Sequence, residues 1–165
     1  MRSLPRLLLI AISGVALASP AVSQRSDDQI QPKSIALQRD AKTLIASGKL
    51  EQAEDVLETA LAVDPRNRGA FVDLARVAEK QHLFGKAIRL TNKALLLEPN
   101  DPDAIAVQGE AMVEMGATAR AQANLQKLQS ICGAKGCPQI ALLSAAISRG
   151  PTVASAKTPS TPKSN

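Results

Sequence analysis

Residues 53–65, Ala53-Glu54-Asp55-Val56-Leu57-Glu58-Thr59-Ala60-Leu61-Ala62-Val63-Asp64-Pro65, decide the fold together with their echo at 87–99, Ala87-Ile88-Arg89-Leu90-Thr91-Asn92-Lys93-Ala94-Leu95-Leu96-Leu97-Glu98-Pro99. Ala53 and Ala87, Leu57 and Thr91, Ala60 and Ala94, and Pro65 and Pro99 are each 34 residues apart. Small residues recur at helical spacing, and a leucine, an acid and a proline follow. A fixed period of this length marks an array of supersecondary units, each covering the apolar edge its neighbour leaves open. The pattern predicts an all-α helical-hairpin solenoid.

Working outward, each echo is the second helix of a two-helix unit. Pro32 suits the first turn of a helix, where its missing N–H costs nothing. A helix over about 33–47 then places Leu37, Ala41 and Leu44 on one face. Gly48 stops it, and a second helix over about 50–63 turns Ala53, Leu57, Ala60 and Leu61 inward. Asp64-Pro65 ends the unit, because proline disfavours helical geometry in the residue before it. Asn67 caps the second unit, whose helices carry Phe71, Leu74, Ala75 and Ala78, then Ala87, Leu90, Ala94, Leu95 and Leu97. Its turn at Gln81-His82 lacks the glycine of the first unit.

A third unit opens with Asp101-Pro102-Asp103. Ile105, Gly109, Met112 and Gly116 follow Leu37, Ala41, Leu44 and Gly48 by 68 residues, twice the period. Ala121 and Leu125 continue the match, and then it drifts: Leu128 replaces a small residue and Gly133 stands where Pro65 and Pro99 stood. A last helix over 138–149, with Ile140, Leu143 and Ile147 on one face, caps the stack and should keep one polar outer face. The units are drawn at about 34–67, 68–101 and 102–133, within a repeat domain over 34–150.

Composition agrees with a helical array. The chain has 165 residues, with Phe71 and Phe84 its only aromatics and no tryptophan or tyrosine. An alanine- and leucine-rich helix buries little area alone, so stability must come from stacking. Net charge is +5, but Arg2 and Arg6 lie in an N-terminal leader and the remaining charges alternate along helices. Nucleic-acid binding wants clustered cations or stacking aromatics, and neither is present, so it is not expected. Residues 1–23 have a basic start, the 12-residue apolar run Leu7 to Ala18, and small residues after it. That is the layout of a secretory signal peptide. Ala21-Val22-Ser23 and Ala16-Leu17-Ala18 are alternative cleavage sites, and an uncleaved anchor is the competing outcome for so short a run. Residues 24–33 are expected to form a flexible lead-in, and 151–165, rich in Thr, Ser, Pro and Lys, a disordered tail.

Ala41, Gly48, Ala53, Leu57, Ala60 and the closing Pro65, with Ala75, Ala87, Ala94 and Pro99 and then Gly109, Gly116, Ala121 and Leu125, make the chain resemble the tetratricopeptide repeat family. Asp40, Gln108 and Thr91 depart from the larger apolar residues that family favours. The resemblance, with the leader, implies an exported bacterial protein of the periplasm. It further implies a concave groove lined by the first helix of each unit, here Ile35, Gln38, Lys42 and Ile45, then Val72, Arg76, Glu79 and Lys80, then Ala106, Glu110, Val113 and Glu114. Such a groove holds a peptide or protein partner, with a basic patch at Lys42, Arg76 and Lys80 and an acidic end at Glu110 and Glu114. The carboxylate clamp of one branch of the family is not reproduced, since the corresponding positions hold Gln38, Lys42, Asp73, Asp103 and Val107.

Cys132 and Cys137 are the only cysteines. Export to an oxidising compartment makes a structural disulfide the default, with a redox-active pair as the alternative. Two cysteines alone would leave a tetrahedral metal shell incomplete. His82, the only histidine, has no nucleophile or carboxylate at a sequence-level spacing, and no phosphate loop or nucleophile elbow is present. The expectation is a non-catalytic interaction module of a cell-envelope assembly, without cofactor or metal. An inert scaffold or homo-oligomer is the alternative, ahead of a thiol redox protein.

Overall fold

The computed structural model describes residues 29–152. The predicted signal peptide, residues 24–28 of the lead-in and residues 153–165 of the tail lie outside the described residues. Seven α-helices follow one another: α1 Pro32–Ala46, α2 Leu50–Val63, α3 Arg68–Lys80, α4 Phe84–Leu97, α5 Pro102–Glu114, α6 Thr118–Cys132 and α7 Pro138–Arg149. No strand occurs among the described residues. α1, α3 and α5 each pack on the even helix that follows, α7 packs on α5 and α6, and α1, α3, α5 and α7 lie side by side. The architecture is a helical-hairpin solenoid.

The period explains the packing. Ala41, Ala53, Ala60, Ala75, Ala87, Ala94 and Ala121 are all fully buried, which lets paired helices approach closely. Leu57 is the large anchor of the first core cluster, which joins α1–α4 and includes Ala104, Val107 and Ala111 of α5. A second cluster joins α5, α6 and α7 through Ile105, Met112, Leu128 and Leu143. Leu128, which occupies the position of Ala60 and Ala94, is fully buried because it packs with the apolar side of α7.

Turn chemistry repeats with the same step. Gly48 and Gly116 take φ of 74° and 77°, and His82, between them in the repeat, takes φ of 60°. The second unit thus keeps the left-handed turn without the glycine, against a steric cost of about 1–2 kcal/mol. The unit boundaries are fixed by polar anchors. Asn67 Oδ1 accepts from Ala70 N at 3.0 Å, and Asp101 Oδ1 from Ala104 N at 2.7 Å, so both act as N-caps. Ser34 Oγ donates to Ala60 O at 2.7 Å and accepts from Asn67 Nδ2 at 2.9 Å, tying the first helix to the start of the third. Buried Asp64 accepts from Gln31 N at 2.8 Å and Arg66 N at 3.0 Å. The Arg66 side chain and these N–H groups hold its carboxyl down to about 2.

The three departures from the repeat pattern have local explanations. Thr91 is fully buried, and its hydroxyl donates to Ala87 O and to Ile88 O at 3.0 Å. Gln108 is buried between Asn92, to which it donates at 2.7 Å, and Asn124, from which it accepts at 3.0 Å. Asp40 faces solvent, so it needs no apolar partner. Two expectations are corrected. Leu97 is not inward but 43% exposed, and α7 has no uniformly polar outer face, because Leu142 is 53% exposed there.

Candidate functional site: a two-chambered groove along the first helices

Three first helices side by side leave a hollow between their outward edges. Its larger chamber, about 860 Å³, is lined by α1, α3 and the start of α5. Ile30, Ile35, Val72 and Leu97 supply apolar walls, and Gln38, Lys42, Arg76 and Asp103 are among its polar groups. A second chamber of about 340 Å³ lies where α3, α5 and α7 meet, and Arg76 borders both. Glu79, Glu110, Glu114, Phe84, Ala146 and Thr152 contribute to its walls.

The expected lining divides accordingly. Ile35, Gln38, Lys42, Val72 and Arg76 meet in the first chamber, and Arg76, Glu79, Lys80, Glu110 and Glu114 in the second. Ala106 and Val113 do not reach the groove surface. Each is only 1% exposed, enclosed in the cluster that contains Leu143 of α7. Ile45 is half-buried against the first core.

The expected basic patch is also corrected. Lys42 Nζ lies 3.6 Å from Asp73, and Arg76 Nη2 lies 2.9 Å from Asp103, so two of its three cations are paired across neighbouring units. Gln38 Nε2 donates to Asp73 at 2.6 Å, and Gln139 Nε2 to Asp103 at 3.1 Å. Burial nevertheless pushes the Asp73 carboxyl up, against the Gln38 bond and the Lys42 and Arg76 charges. Arg68, which also lines the chamber, pairs with Asp101 at 2.8 Å.

At the α3–α5 seam the balance differs. Burial first, and the neighbouring Glu110 next, push the Glu79 carboxyl up to about 8. Burial also raises Glu110, with Arg76 and Arg149 opposing it. Glu114 Oε2 accepts from both the N–H and the hydroxyl of Thr152 at 2.8 Å.

Sequence reasoning missed Ile30, Arg68, Leu97, Phe84, Arg149 and Thr152 as groove groups. Arg68 and Leu97 flank unit boundaries, so the period itself was the signal that could have placed them. Arg149 and Thr152 enter only because α7 packs beside α5. Cys132 and Cys137 are bonded to each other, with Cα atoms 5.7 Å apart, and close the turn between α6 and α7. Among the described residues no group of His, Cys, Asp and Glu is gathered for a metal ion. Also among them, no helix is long and apolar enough to cross a membrane.

The fold has counterparts among known proteins. Residues 44–111 match the family model described as Tetratricopeptide repeat. None of the curated proteins matches the chain in sequence. Among solved structures, the Sgt2 TPR domain from Aspergillus fumigatus is 19% identical, with a TM-score of 0.66 over 82% of this chain and 88% of that one. The second TPR domain of human RPAP3, in complex with the HSP70 peptide SGPTIEEVD, is 20% identical, with a TM-score of 0.62 over 70% of this chain and 95% of that one. The Yersinia enterocolitica type III secretion chaperone SycD, in complex with a peptide of the translocator YopD, is 22% identical, with a TM-score of 0.61 over 70% and 86%. The fold is therefore the tetratricopeptide-repeat solenoid.

Proposed function

We propose that the protein is an exported interaction module that holds an extended peptide or protein segment along α1, α3 and α5, as part of a cell-envelope assembly. The observation that carries this reading is the pair of neighbouring hollows that share Arg76 in their linings, built from side chains of three successive first helices. A segment laid across them meets apolar walls and hydrogen-bonding groups in a fixed order, which gives it a register and a direction. The solved neighbours that hold peptides support the choice of ligand class. The leader supports export, and the Cys132–Cys137 bond accords with an oxidising compartment. Recognition here requires no covalent step.

The test is capture from an envelope extract with the full chain as bait, repeated with Ile35→Asp. Ile35 is 42% exposed in the first chamber and holds none of the inter-unit ion pairs, so the variant keeps its helicity. A partner held by the wild type and lost by the variant supports the groove. Undiminished capture overturns it. Fractionation and intact mass of the expressed chain test export: a full-length mass in the cytoplasm overturns that part.

A further inference from the structure

The charges of the groove are unequal once their partners are assigned. Lys42 and Arg76 are each committed to an acid on the next unit, Asp73 and Asp103, and Arg68 to Asp101 at the cap of α5. An acidic segment entering the first chamber would have to break pairs that join one repeat to the next. Where α3 faces α5 the situation reverses. Glu79 and Glu110 project from different helices into the second chamber and have no hydrogen bond or ion pair to any described residue. The cations beside them, Lys80 and Arg149, are exposed at the rim and make no ion pair with either carboxylate. Phe84 and Ala146 give the same chamber an apolar side. A lysine or arginine side chain matches both features, with an apolar stem for that wall and a charged head for the carboxylates.

Resting on the reading of the groove as a peptide site, we propose that its occupant is a basic segment. A lysine or arginine head group seats between Glu79 and Glu110, a neighbouring apolar side chain rests on Ile35 and Leu97 in the first chamber, and acidic segments are rejected. The acidic peptide held by the RPAP3 domain is then the wrong class for this chain. The electrostatics of the chamber agree with the assignment. The groups facing Glu79 are Arg76 and Lys80 on α3, His82 in the turn, Glu110 and Glu114 on α5, and Arg149 on α7. Within that set its carboxyl is pushed up to about 8, so an incoming cation displaces a proton. Affinity therefore rises with pH below about 8, by up to about tenfold per unit for one proton released, and levels off above it.

The experiment measures binding of three blocked, fluorescent nonapeptides to the full chain. They share one leucine and differ at a single position, which holds lysine, glutamine or glutamate. The lysine peptide should bind about tenfold more tightly than the glutamine peptide, and the glutamate peptide more weakly than either. Glu79→Gln with Glu110→Gln should bring the lysine peptide to the glutamine value and leave the glutamine peptide within about twofold. Equal or tighter binding of the glutamate peptide overturns the proposal, and so does a lysine preference that survives the double substitution. Ile35→Asp separates the two readings. If it weakens a glutamate-preferring groove, the charge assignment falls and the groove stands. If no peptide binds either the wild type or a chain carrying Lys157→Ser and Lys163→Ser, or if Ile35→Asp changes none of them, both fall. Lysine-peptide binding that emerges only with Lys157→Ser and Lys163→Ser assigns the chamber to residues 153–165 of the chain itself, and overturns the assignment to a partner.

Discussion

In α1–α4 many of the buried contacts are alanines, and Leu57 is the largest fully buried side chain among Ala41, Ala53, Ala60, Ala87 and Ala94. In α5–α7 the helices meet through larger groups. Leu143 of α7 lies against Gly109 of α5, Leu128 stands in a position that is alanine in both earlier units, and the Cys132–Cys137 bond closes the turn. The first half is repetition: each unit offers the next an edge of the same shape. The second half breaks the repetition: among the described residues the last pair is covered by the single helix α7. The groove crosses this divide, so its two chambers differ in chemistry as the halves differ in packing.

The largest expected effect lies in the first half. Leu57→Ala removes the anchor and leaves a cavity that small neighbours cannot fill, at a cost of about 3 kcal/mol. Urea unfolding should show that loss, and amide exchange should show it shared by α1–α4. A loss below about 1 kcal/mol would mean that the alanine seams, not the leucine, hold this half together.

The same contrast sets how much was legible in the sequence. Ala53, Ala60, Ala87, Ala94, Pro65 and Pro99 repeat in identity, so helix pairing in α1–α4 could be read directly. The break in that repetition is not periodic. Nothing in the chain order says that Leu143 will occlude Ala106 and Val113, because that depends on how α7 packs beside α5. The groove's residue positions were largely legible, since first-helix positions recur with the period. Its charge state was not. Lys42 and Arg76 read as free cations until the neighbouring unit places Asp73 and Asp103 against them. Burial of Glu79 likewise arises from the stacking of α3, α5 and α7, which no local pattern records.

The second half should respond to its own devices. Cys132→Ser with Cys137→Ser frees a short loop and should cost about 2 kcal/mol in the chain-entropy model. The lost exchange protection should be confined to α7 and the end of α6. Uniform loss across α1–α4 would show the two halves to be one cooperative unit. Gly109→Ala should cost less. Its new methyl would lie 2.6 Å from Leu143 Cδ1, and Leu143 is fully buried. Overpacking of about 2 kcal/mol is offset by about 1 kcal/mol of regained helix propensity, leaving a net loss of about 1 kcal/mol read from a denaturant midpoint. A stabilised variant would show that Leu143 can turn aside and that the seam is looser than its burial implies.

The smallest effect compares two carboxylates across the divide. Asp64, in the first half, is held down to about 2 from an ordinary 3.8. Its contribution is therefore present above about 3.8 and is lost as the pH falls toward 2. Glu79, at the seam, is pushed up to about 8 from an ordinary 4.5. The folded chain keeps that proton where the unfolded chain has released it, so stability falls as the pH rises from about 4.5 through 8. Glu79→Gln removes the need to bury a charge and should stabilise the protein by about 1 kcal/mol at pH 8, after allowance for solvent screening, and by almost nothing at pH 4. Asp64→Asn should flatten only the acid limb. Melting temperatures from pH 2 to 9 for the wild type and both variants read the two effects separately. If Glu79→Gln leaves the alkaline limb unchanged, the seam is wet enough to solvate its carboxylates, and the second chamber offers a bound cation no advantage over water.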